Sequence, residues 1–140
     1  MSQLLVLLAA SVFVILGSLH GLLSLRDLRE PKVFTPRDPG LREAMQRSSV
    51  ALHRSINLWD AWMGFNLSHS LGLVLFGGAY LYVGLFHPQA YVHYGLLQAC
   101  AVGVSAIYLL LSLRFWFSKP AIGSALALAC FALAAILDRV

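Results

Sequence analysis

Leu4-Leu5-Val6-Leu7-Leu8-Ala9-Ala10-Ser11-Val12-Phe13-Val14-Ile15-Leu16-Gly17-Ser18-Leu19-His20-Gly21-Leu22-Leu23-Ser24-Leu25 contains no charged residue. A helix needs about 20 mostly apolar residues to cross a bilayer, and this run suffices. Outward from it, three more runs of the same kind lie at about 58–86, 91–113 and 120–137. Over all 140 residues, 59% are hydrophobic and 11% are charged. A soluble domain carries about 25% charged residues and under about 50% apolar ones. A soluble core of this size has no room to hide so much apolar surface. The expectation is an all-α membrane protein, a four-transmembrane-helix bundle forming one domain over 1–140. The first run lacks the basic leading segment of a signal peptide, and its flanking positive charge follows it, so it reads as a mature helix.

Basic residues set the expected orientation. The stretch after the first run holds Arg26, Arg29, Lys32, Arg37, Arg42, Arg47 and Arg54, and the third connection holds Arg114 and Lys119. The connection around His87-Pro88-Gln89 has none, and Arg139 alone falls on the opposite side. Lysine and arginine favour the cytoplasm. Both termini are therefore expected outside, with the long first loop inside, as in a bacterial inner (plasma) membrane. The net charge of +4 then reads as topology and contact with anionic lipid at the first loop rather than nucleic-acid binding.

That loop has local order of its own. Pro31, Pro36 and Pro39 hold the chain extended or turning. Asp38-Pro39 reads as a helix start, with Asp38 as N-cap and Pro39 in the first position. Leu41, Ala44, Met45, Ser48, Leu52 and Ile56 recur at helical spacing, with Arg42, Arg47 and Arg54 off the stripe. Glu43 and Arg47 are spaced to pair at i,i+4. An amphipathic interfacial helix over about 39–56 follows, lying on the leaflet or packing on the ends of the spans.

The second span carries the polarity. Gly64, Ser68 and Gly72 recur every four residues, an interval that lets membrane helices approach closely, and the first span offers Gly17 and Gly21. A close crossing of spans one and two along these residues is expected. Asn66 and His69 share a face with Trp62, while Trp59 and Asp60 lie nearer the boundary. Polar side chains at membrane depth must face protein or water and find partners. His20 lies roughly 9 Å inside its boundary and Asn66 roughly 12 Å, at the helical rise per residue. His20, Asn66 and His69 can therefore sit at one depth. The third span adds Gln98, Ser105 and Tyr108.

Four readings of this cluster stand open, one of them a proton-transfer or enzymatic site. His20, Asn66 and His69 form a structural polar clasp; or the cluster lines a pocket for a lipid or small hydrophobic ligand, walled by Trp59 and Trp62; or His20 and His69 ligate a haem or a metal, since histidine is the commonest metal ligand. The last would make the protein a redox or enzymatic one. No CxxCH motif accompanies the histidines. His53, His87 and His93 read as solvated or headgroup-level, with Tyr91 and Tyr94 in an interfacial aromatic belt. Cys100 and Cys130 lie in apolar runs and read as packing residues rather than a disulfide or a metal site. The alanine-rich fourth span reads as smooth packing surface against the bundle, a second copy or a membrane-complex partner.

Gly17-Ser18-Leu19-His20, the proline-containing loop leading to Glu43-Ala44-Met45, and Trp62-Met63-Gly64-Phe65-Asn66-Leu67-Ser68-His69 resemble a family of small, uncharacterised bacterial inner-membrane proteins with four spans. The resemblance covers about the first half of the chain; the second half shares only hydropathy. It implies an architecture and no activity. The leading expectation is a non-enzymatic packing or subunit-type membrane module whose polar cluster holds a lipid or small hydrophobic ligand. No catalytic residue is assigned.

Overall fold

The computed structural model describes residues 1–137. Arg139, the one basic residue expected on the far side, lies outside the described residues. The elements are α1 (Ser2–Arg29), α2 (Pro39–Arg47), β1 (Ser49–Val50), β2 (His53–Asn57), α3 (Leu58–Phe86), α4 (Pro88–His93), α5 (Gly95–Phe115) and α6 (Ser118–Leu137). Four of them, α1, α3, α5 and α6, are long and apolar enough to cross a membrane. The chain is an all-α integral membrane protein with four spans. Large apolar side chains such as Leu22, Leu75, Leu110 and Ile122 lie exposed along these helices, where lipid tails and not water are the solvent.

The spans differ in length in a way that matters. At the helical rise, α5 and α6 are about 30 Å long, the thickness of the hydrocarbon core. The 28 residues of α1 and 29 of α3 extend about 42 Å and so carry extra turns into the polar zone.

Two compact units divide the chain. The first comprises Met1–Leu16 and Leu73–Val140. Its core is aromatic: Phe13 meets Phe76 edge-on at 5.0 Å and Tyr108 at 5.6 Å, and Tyr80 meets Phe131 at 5.1 Å between ring centroids. Such pairs add about 0.5–1.5 kcal/mol beyond the area they bury. The buried polar tips are satisfied by backbone carbonyls. Tyr80 donates to Leu97 O at 2.7 Å, Tyr91 to Phe131 O at 2.9 Å, and the Gln98 amide to Tyr91 O at 3.0 Å. Ser105 donates to Ala101 O within its own helix.

This corrects the expected boundary of the third span. Residues 91–93 belong to the short α4, and the crossing helix begins at Gly95. Pro88 starts α4, where its missing N–H loses nothing, and extended Tyr94 separates it from α5. Tyr91 faces the protein core rather than lipid headgroups; it is 1% exposed and clamped to α6. Cys130 joins the same core, and Cys100 is an exposed free thiol.

The second unit is Gly17–Gly72: the end of α1, the loop with α2 and the two strands, and the start of α3. Asp38 caps α2 as the sequence indicates, accepting from Gly40 N–H at 2.9 Å, and Arg47 pairs with Glu43 at 3.6 Å. The helix does not continue to residue 56, however. It stops at Arg47; Ser48 is extended, and 49–57 forms a two-stranded antiparallel hairpin with Ser49 opposite Asn57 and Val50 opposite His53. Ser48 and Ser49 favour local backbone bonding over helix. The Ser48 carbonyl accepts from Leu58 N–H at 2.9 Å, which ties the hairpin to the start of α3. Leu52 and Ile56, expected on the helical stripe, are exposed hairpin residues.

The expected glycine seam is also corrected. Gly64, Ser68 and Gly72 are exposed, and a Cβ added at Gly64 would meet nothing within 4 Å. The α1–α3 approach uses other small residues. In the second unit a Cβ on Gly21 would lie 3.3 Å from Ser70 Cβ. In the first, one on Gly77 would lie 2.7 Å from the Ala10 carbonyl oxygen, and one on Gly84 2.8 Å from Leu7 Cδ2.

Candidate functional site

The second unit builds the polar cluster from its own two helices. Asn66 is fully buried. Its Nδ2 donates to Trp62 O at 2.8 Å, which fixes the orientation of the amide and turns Oδ1 outward. That oxygen meets His20 Nε2 at 3.1 Å. An amide oxygen only accepts, so Nε2 carries the proton and donates. The His20 ring lies 5.4 Å from that of His69, edge to face, and 4.5 Å from the Phe34 ring. His69 stacks on Phe65 at 6.0 Å, and Phe65 on Trp62 at 6.5 Å. Ser24 Oγ donates to His20 O at 2.8 Å, and Ser70 Oγ to Asn66 O at 2.6 Å.

Of the residues singled out in the sequence, His20, Trp62, Asn66 and His69 come together. Trp59 and Asp60 stand apart. Trp59 is buried beneath Arg42, whose guanidinium carbon lies 5.4 Å from its ring centroid. Asp60 is exposed and closes the start of α3: its N–H donates to Asn57 Oδ1, and Asn57 Nδ2 donates back to its carboxylate, each at 2.8 Å. This reciprocal cap satisfies a helix-end donor and leaves Asp60 no part in the cluster.

Sequence reasoning missed Asp27. Near the end of α1, with no exposed surface, its carboxylate accepts from three successive backbone N–H groups: Lys32 at 3.1 Å, Val33 at 3.1 and 2.9 Å, and Phe34 at 2.6 Å. The loop is thereby folded back as a strap. The Phe34 carbonyl accepts from Trp62 Nε1 at 2.8 Å, and the Phe34 ring covers His20. Between Arg26 and Arg29, Asp27 reads in the sequence as one more boundary charge, because backbone donors leave no mark on residue identity.

Beside the strap lies a recess of about 430 Å³ lined by Val33, Phe34, Thr35, Pro36, Met45 and Trp62. A larger hollow of about 590 Å³ lies in the other unit between Phe86 and Tyr94. Most of its lining is exposed residues at the helix ends, whereas the strap recess adjoins the buried polar cluster.

The arrangement can hold two helices in register and can seat an apolar chain. Ligation of a central iron by both histidines fits it poorly: the protonated Nε2 of His20 is committed to Asn66, and its ring already packs on His69. Among the described residues no group of three or more His, Cys, Asp or Glu converges as metal ligands do. His53, His87 and His93 are exposed. Comparison with family models, with curated proteins and with solved structures finds no match to this chain.

Proposed function

We propose that the chain is a non-enzymatic packing or subunit-type module of a bacterial inner membrane, in which a polar clasp fixes the register of α1 on α3 and the adjoining recess seats a lipid or small hydrophobic ligand. The observation that carries this reading is the His20–Asn66 hydrogen bond, made by an asparagine with no exposed surface. Hydrogen bonds between membrane helices contribute about 0.6 kcal/mol on average, so the clasp selects a register more than it supplies stability.

Asn66→Leu removes the acceptor of His20 and is expected to lower thermal stability in detergent by about 1 kcal/mol. If Asn66→Leu and His69→Leu both unfold at the parent's temperature, the clasp is not structural. The purified protein is expected to show no Soret band; a band abolished by His20→Ala would replace this reading with a haem protein. The excess of basic residues on the α1–α3 and α5–α6 connections supports both termini outside. A fusion after Val140 is then active with a periplasmic reporter, and activity of a cytoplasmic reporter there would reverse the orientation.

A further inference from the structure

The charges of the second unit do not cancel in pairs. Over 26–60 the chain has seven basic residues and five acidic ones, and each acid is engaged. Asp27 binds the strap, Glu30 pairs with Lys32, Asp38 caps α2, Glu43 pairs with Arg47 and Asp60 pairs with Asn57. Among the described residues no ion pair forms at Arg26, Arg29, Arg37, Arg42 or Arg54.

Arg42 differs from the others. It is half-buried, lies over the Trp59 ring, and its Nε is sealed from solvent with no hydrogen-bond partner. An orphaned buried donor is uncommon, because leaving it unmet costs about as much as a lost hydrogen bond. Arg42 and Met45 are i,i+3 on α2, and Trp59 and Trp62 are i,i+3 on α3, so each pair shares a face. Met45 and Trp62 line the recess. The cation on its tryptophan thus sits one turn along from an apolar slot, at the start of α3.

Resting on the ligand-holding part of the proposed function, we infer that this site takes one anionic phospholipid, its phosphate on the Arg42 guanidinium and an acyl chain in the recess between the strap and Met45. Guanidinium suits phosphate because its donors form a planar fork; with Nε sealed, the terminal nitrogens of Arg42 make the contact. The net positive charge of this unit disfavours a cation or a neutral headgroup. The apolar lining disfavours a free phosphate ion, which would leave the recess unfilled.

The test uses the full-length protein in a neutral detergent, with thermal unfolding followed against added phosphatidylglycerol, phosphatidylcholine of the same acyl chains, or inorganic phosphate. Phosphatidylglycerol is expected to raise the unfolding temperature in a saturable way, and the other two are not. Arg42→Gln should weaken the apparent affinity roughly tenfold, the loss of one charged hydrogen bond. Met45→Trp, which fills the slot, should abolish saturation. Arg54→Gln, on the exposed hairpin, should retain the response, which separates a built seat from diffuse attraction. An equal response to phosphatidylcholine or to inorganic phosphate, or an unchanged one in both Arg42→Gln and Met45→Trp, would overturn the inference. Unfolding of Asn66→Leu without lipid reads the clasp separately, so either can fail alone.

Discussion

Replacing Asp27 by alanine is expected to destabilise the protein by about 3 kcal/mol, more than loss of any other polar side chain. Hydrogen bonds to a charged acceptor contribute about 1.5–3 kcal/mol each, and Asp27 accepts four from three backbone donors while wholly buried. The effects do not add, because the strap can swing out and hydrate its amides. Swinging out has its own consequence: the Trp62 indole loses the Phe34 carbonyl, and His20 loses the ring above it. Asp27→Asn keeps one acceptor oxygen and should lose about half as much. Two measurements check this, thermal unfolding in detergent and hydrogen exchange at the amides of residues 32–34, which should change from protected to fast. Unchanged protection in Asp27→Ala would mean that the strap is held by something other than the carboxylate.

How Asp27 escaped notice shows what a sequence can carry. The four spans were legible because uninterrupted apolar runs have no other stable home. The meeting of His20 with Asn66 was legible because depth follows from counting residues from a boundary, and polar groups at equal depth seek one another. The cap at Asp38 was legible because the Asp-Pro pair acts locally. What failed depended on a partner far along the chain, on the backbone or, for Asp60, on a local side-chain cap. The helical spacing from Leu41 and Met45 through Leu52 to Ile56 suggested helix to residue 56, but the ladder between Ser49 and Asn57 took the segment after Arg47. Tyr91 resembled a belt residue until the Phe131 carbonyl was seen to receive its hydroxyl. Asp60, read with the intramembrane cluster, answers instead to the neighbouring Asn57.

The two cap-like carboxylates also divide the labour of the second unit. Asp60 secures the start of α3 and Asp27 secures the return from α1. Between them they hold Trp62 and Phe34 in contact over the polar cluster, so the cluster's geometry depends on residues that never touch it. A variant that weakens the strap should therefore weaken both the clasp and the proposed lipid seat, whereas Asn66→Leu should affect the clasp alone.

Gly77→Ala is expected to destabilise by about 1–3 kcal/mol, the usual cost of overpacking, while Gly64→Ala is expected to be neutral or slightly stabilising. The two glycines lie on one helix, and alanine is the better helix former by about 1 kcal/mol, so local propensity predicts the same small gain at both. Their surroundings decide otherwise. At Gly77 the added carbon would stand 2.7 Å from the Ala10 carbonyl oxygen and 2.9 Å from the Val14 nitrogen. Both are backbone atoms of a helix, which cannot move aside as a flexible side chain can, so α1 and α3 must separate there. At Gly64 the added carbon meets nothing. The four-residue interval from Gly64 to Gly72 had suggested the seam, yet the contacts fall elsewhere: in the first unit Gly77 faces Val14 and Gly84 faces Leu7, seven residues apart on both helices, and in the second Gly21 faces Ser70. A seven-residue repeat keeps one stripe of a helix against its neighbour, and small side chains on that stripe let membrane helices close together. Unfolding of the two variants side by side in detergent tests this directly. Equal stability of Gly77→Ala and Gly64→Ala would show that α1 and α3 do not approach at Gly77, and a loss confined to Gly64→Ala would return the seam to the four-residue stripe.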